Sequence, residues 1–267
     1  MADCDIYFDW RGGSDGNVLT TAIAQASFYP ASPGAAVAVY PSSPASVLSV
    51  EADSACTSYS GTFTTGGSTY NVSSVTQGLI FSHATTASEN VTVIPTTTKA
   101  DMSMGFFYKT TLHTSLYLQY GQCGIEGEDD GDWAILSTYI DESGNAHSCM
   151  ETNSGLFPAT AANGPTLEQN TWYWITILYS TSLEKAYLAT FLASTMAQVG
   201  GTVEADLVAT PPNAWRVDYG QVASEGNSEA GASSWYSSLA VDWTDATFPL
   251  LPSAASGGSA NIVQMIV

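Results

Sequence analysis

Two aromatic, β-branched runs lie close together in the second half of the chain and set its fold class. They are Trp172-Tyr173-Trp174-Ile175-Thr176-Ile177-Leu178-Tyr179 and Tyr187-Leu188-Ala189-Thr190-Phe191-Leu192-Ala193. Both are too short and too wide in their side chains for a surface helix, and both suit a pleated strand. The connection Ser180–Lys185 has the length of an antiparallel hairpin rather than a crossover helix. In the first run Trp172, Trp174, Thr176 and Leu178 share one face, and Tyr173, Ile175, Ile177 and Tyr179 the other. Both faces are largely apolar. One therefore packs a core, and the other needs a cover from residues 11–77 or from a neighbour, since bare it would be an association site.

Short strands of this kind recur along the whole chain. They are expected at Asp5–Trp10, Ala36–Tyr40 (an edge strand), Val47–Ala52, Gly78–Ser82, Asn90–Ile94, Met102–Lys109, Leu116–Gly121, Trp133–Ile140, Asn145–Met150, Val203–Val208, Trp215–Gly220, Trp235–Trp243 and Ile262–Val267. Thr62–Thr64 and Tyr70–Val72 flank Gly66-Gly67, a hairpin signal. Thr20–Phe28 reads almost equally as one or two helical turns or as a strand or irregular segment, and Phe248–Pro252 should cap an apolar surface. The spacing predicts an all-β, two-sheet antiparallel sandwich. One domain is expected over residues 1–267, elaborated at 11–77.

Charge removes whole classes of partner. The chain has 25 acidic and five basic residues, a formal net charge of -20. Nucleic acid and anionic lipid both need clustered Lys and Arg, so neither is an expected partner. No run is apolar over the length that spans a bilayer, and Met1–Phe8 has no signal-peptide pattern. Cys4, Cys56, Cys123 and Cys149 are too scattered for a zinc site, and read equally as buried thiols or as one or two bridges.

From Gly78 onward the order of elements resembles the laminin-G-like branch of the concanavalin A-like lectin/glucanase superfamily. The residues carrying the resemblance are Gly78–Phe81, Met104–Tyr108, Leu116–Gly121, Trp172–Ile177, Tyr187–Ala193, Val217–Gly220 and a late strand ending near Trp243. It covers about two thirds of the chain and implies a jelly roll. It does not imply one activity, because lectins, glucanases and lyases share the fold.

An enzyme of the glucanase branch carries its paired glutamates on an alternating strand, close enough to act on one bond. Glu126-Gly127-Glu128-Asp129-Asp130-Gly131-Asp132 has the acids without the apolar alternation, and Val203-Glu204-Ala205-Asp206 lacks a third acid. No catalytic residue is assigned. Asp129, Asp130, Asp132 and Glu128 supply hard oxygen ligands on a Gly-permitted loop, which makes calcium the cofactor expectation, with a solvated acidic loop as the bland alternative. Trp133, Trp215, Trp235 and Tyr236 stand at strand ends where rings could stack on sugar, or else close the ends of the core.

Three functions follow. The leading expectation is a structural or interaction protein, such as a phage or virus particle component (capsid decoration, fibre or tail), partnered by other subunits or by itself and located in a virion or extracellularly. The alternative is a lectin-like glycan-binding module, and the third reading is a glycoside hydrolase.

Overall fold

The fold is that of a computed structural model, which describes residues 2–10, 12–29, 34–40, 48–52, 61–72, 77–82, 90–110, 119–128, 133–140, 146–152, 164–207, 210–223 and 233–253. Among the described residues two large antiparallel sheets, with a smaller three-stranded one, form a sandwich consistent with a concanavalin A-like jelly roll. The front sheet has seven strands in the order Thr166–Leu167, Ala146–Thr152, Trp133–Ile140, Gln119–Gly127, Ala214–Ala223, Asn90–Pro95 and Ala35–Tyr40. The expected edge strand Ala36–Tyr40 is thus an edge strand. The back sheet has eleven strands, centred on Lys185–Leu192, Tyr173–Ser180, Asp101–Thr110, Ser233–Asp242 and Gln77–Ser82. The expected final strand Ile262–Val267 lies outside the described residues.

The hairpin of the two aromatic runs is present, with Tyr173 opposite Leu192 and Ser180 opposite Lys185. Its two faces separate as their alternation requires. Tyr173, Ile175, Ile177 and Tyr179 enter the core between the sheets, where they join Val91, Val93, Ile125, Val217 and Tyr219 of the front sheet. Trp172 and Trp174 enter a second apolar cluster on the outer face of the back sheet, with Cys4, Tyr7, Phe63, Phe107 and Leu250.

That outer face is covered from within the chain. Thr62–Thr65 and Ser68–Asn71 form the hairpin expected around Gly66-Gly67, and Ala2–Asp3 joins it in parallel. The segment Phe248–Pro252 completes the cover, and Leu250 is 1% exposed. Gly105 makes the close approach feasible: a Cβ there would lie 2.4 Å from the Trp174 ring and 2.9 Å from the Leu250 carbonyl oxygen.

Of the two readings of Thr20–Phe28, the helix is the one formed, over Thr21–Ala26. The Thr20 hydroxyl caps it by accepting the Ile23 N–H at 3.2 Å.

Leu239, Val241 and Trp243 face the core and Ala240 the outer side, and one local irregularity breaks the alternation before them. Strict period two along Trp235–Trp243 puts Tyr236 with Ala240 and Trp235 with Leu239. Instead Phe106 pairs with Leu239 and Phe107 with Ser237, so Ser238 is an extra, bulged residue with φ +35°. The bulge exchanges the faces beyond it. Tyr236 joins Leu239 and Val241 in the core, while Trp235 packs beside Ala240 on the outer side.

Candidate functional site on the front sheet

The outer face of the front sheet carries a group of polar side chains that strand register brings together. Val217 and Tyr219 point into the core, so Arg216 and Asp218 on the same strand face outward. Glu126 stands opposite Arg216, and Thr92 and Gly124 flank Asp218 from its two neighbouring strands. On the far side of Glu126 the ladder pairs it with Trp133. Cross-strand partners share a face, so Trp133, Glu126 and Arg216 form one row across three strands.

Arg216 is the hub. Its Nη2 lies 2.6 Å from Glu126 Oε2, and its Nε donates to Asp218 Oδ2 at 3.0 Å. Thr92 Oγ1 donates to Asp218 Oδ1 at 2.9 Å. The guanidinium carbon lies 4.7 Å from the Trp215 ring centre, stacking cation on aromatic face. Asp218 is the floor of the group, with its side chain 3% exposed. Glu126 at 18% and Arg216 at 28% form the rim.

One guanidinium serves two carboxyls here, and the protonation follows. Burial raises the Glu126 pKa from 4.5 to about 8, aided by a hydrogen bond with Asp218 and its charge and opposed by Arg216. Near neutral pH Glu126 is therefore held toward its protonated form.

The aromatic residues expected to line one site do not share a surface. Trp133 holds a register position on the outer front face. Trp215 is half-buried under the Arg216 guanidinium. Trp235 is on the opposite side of the sandwich, its ring centre 6.5 Å from that of Trp172, with Lys109 Nζ at 4.9 Å and 4.4 Å from Trp172 and Trp235 respectively. Tyr236 offers no stacking platform, because the Ser238 bulge turns it into the core against Tyr108 and Tyr219.

Of the expected calcium ligands, Asp129, Asp130 and Asp132 lie outside the described residues. Glu128 is exposed, and its N–H donates to the Asn213 carbonyl at 2.9 Å. Among the described residues no group of three or more His, Cys, Asp and Glu could hold a metal ion. Cys4 is a buried free thiol. Cys123 and Cys149 occupy opposite faces of the front sheet by register, which separates them from each other as a bridge pair.

The Glu126–Arg216–Asp218 group escaped the sequence reading because its members come from positions far apart in the chain. The available signal was Arg216-Val217-Asp218-Tyr219, an alternation that puts a scarce cation and an acid on one face of a strand.

The molecule is thus a two-sheet sandwich of concanavalin A-like kind with a polar, Arg-centred group on its front face. No protein-family model and no curated protein sequence matches the chain. Among solved structures it is similar to the cellulose-induced protein Cip1 at 12% identity and a TM-score of 0.48, over 89% of this chain and 97% of that one. It is also similar to the exoplasmic/lumenal domain of VIP36 in its Ca2+/Man2-bound form, at 11% identity and a TM-score of 0.41, over 74% and 81% of the two chains. Lectin II from Ulex europaeus matches at 9% identity and a TM-score of 0.38, over 78% and 98%. Among the described residues no helix is long and apolar enough to cross a membrane.

Proposed function

We propose that the chain is a carbohydrate-binding module that holds a neutral glycan on the outer face of its front sheet, in an extracellular setting. The observation that carries this is the register row Trp133–Glu126–Arg216, in which an aromatic residue holds the position opposite the carboxyl of a carboxyl–guanidinium pair. Sugars need that combination, a ring for their apolar face and donors and acceptors for their hydroxyls. A chain of formal charge -20 repels acidic polysaccharides, which favours neutral ligands.

The reading is one of binding without bond cleavage. Both carboxyls of the group are engaged by Arg216, and Asp218 is also buried and bonded to Thr92. Bare, the outer apolar face of the back sheet would be an association site and would need a cover. The chain's own hairpin and Phe248–Pro252 segment answer that need.

A neutral-glycan array followed by calorimetric titration of the best ligand tests the proposal. Binding that Trp133→Ala weakens by roughly tenfold is expected, one stacking contact's worth, without release of reducing ends. Absence of binding at millimolar sugar overturns it. A Ca2+ titration with and without chelator tests whether the ion strengthens glycan binding.

A further inference from the structure

We infer that the front sheet takes a linear glycan of roughly four or more sugar units, laid along the strand Trp133–Ile140 between Trp133 and Tyr139, a span of about 20 Å. This rests on the glycan-binding reading above and specifies its ligand.

The register carries the inference. The ladder from Ala134 opposite Thr152 to Ile140 opposite Ala146 is unbroken, so Trp133, Ile135, Ser137 and Tyr139 share one face. That face is the outer one at both ends. Ala134 opposes Ile125, and Ala146 opposes Leu167, and both of these partners are buried in the core. Two aromatic residues therefore occupy one face of one strand, six positions apart. A mono- or disaccharide reaches only one of them.

Hydrogen-bonding residues hold register positions along the same track. Ser137 lies between the aromatic residues, Glu151 opposes Ile135, and His147 opposes Tyr139. The partly exposed Arg216 and Glu126 flank the Trp133 end, and the exposed Thr166, opposite His147, marks the Tyr139 end. Among the described residues the track sets one guanidinium, that of Arg216, among acidic residues and so offers no excess of positive charge to hold a uronate, which suits an uncharged chain.

A length series of the best array ligand, from monosaccharide to hexasaccharide, is titrated into wild type, Trp133→Ala, Tyr139→Ala and Tyr139→Phe, with thermal unfolding as the folding check. Wild-type affinity should rise as far as the tetrasaccharide and then level. Tyr139→Ala should weaken the hexasaccharide by roughly tenfold, leave the disaccharide unchanged, and be rescued by Tyr139→Phe. A wild-type chain that binds disaccharide as tightly as hexasaccharide overturns the inference and leaves the glycan reading standing. So does a Tyr139→Ala loss equal at every length. No binding at any length removes both. The wild-type series decides even if Tyr139→Ala does not fold.

Discussion

Trp174 donates its indole N–H to the Leu250 carbonyl oxygen at 2.8 Å, and the Leu250 N–H returns to Thr176 Oγ1 at 3.0 Å. This reciprocal pair fastens the late segment Phe248–Pro252 to the outer face of the back sheet. Trp174→Phe should cost about 1–3 kcal/mol, because it keeps the ring and leaves a buried carbonyl without its donor. Leu250→Ala should cost about 2–5 kcal/mol by leaving a cavity. Gly105→Ala should cost at least about 1–3 kcal/mol, since its methyl meets both partners at once. Urea unfolding of the three variants checks the order, and dye binding to exposed apolar surface should rise in each.

How far the sequence foretold this arrangement depends on the range of each interaction. The faces of Trp172–Tyr179 were legible because alternation is local, and the capping role of Phe248–Pro252 because a Pro-flanked apolar run has few other uses. Alternation alone does not choose between residues 11–77 and a neighbour as the cover of that face. The cover draws on Thr62–Asn71 from the former and on both ends of the described chain. Tyr236 is buried, not a strand-end platform, because one extra residue, Ser238, reverses parity without leaving a composition signal. Arg216 meets Glu126 through strand order, which no local pattern encodes.

The two tryptophans on opposite outer faces should separate stability from binding. Trp235 packs with Trp172 around Lys109, so Trp235→Ala should destabilise by about 2 kcal/mol through lost packing and cation–π attraction, with glycan affinity unchanged. Trp133→Ala should do the reverse in affinity. Paired denaturation and titration measurements on the two variants check this, and a Trp235→Ala chain that folds normally but no longer binds would move the site to the back sheet.

Cys4 should be inert in the folded chain. Burial raises its thiol pKa, and the carboxylates of Asp242, Asp5 and Asp3 raise it further, so little thiolate forms at neutral pH. Alkylation followed by peptide mass spectrometry should find Cys4 unmodified in native buffer and modified in denaturant. Rapid native labelling would contradict the buried position.

Removing the hub should be costlier than removing the whole network. Arg216→Ala strands the buried Asp218 carboxylate and should cost about 3–5 kcal/mol, part of which Asp218→Asn in the same chain should restore. A double variant no more stable than the single one would contradict this assignment of the cost.

Glu126 should make stability depend on pH in a defined window. Its pKa is 4.5 in the reference state and about 8 when folded, so between those values the unfolded chain has released a proton that the folded chain still holds. The unfolded state then binds fewer protons, and this group's contribution to stability falls as pH rises from about 4.5 to about 8 and is flat beyond. Glutamine mimics the protonated acid and cannot titrate. Glu126→Gln should therefore gain on wild type by about 1–3 kcal/mol between pH 5 and pH 8, a figure discounted for the solvent-exposed part of the side chain. Denaturant titrations of both chains at the two pH values measure the difference directly. A Glu126→Gln curve parallel to wild type would mean that Glu126 is already ionised in the folded chain and that Arg216 outweighs burial.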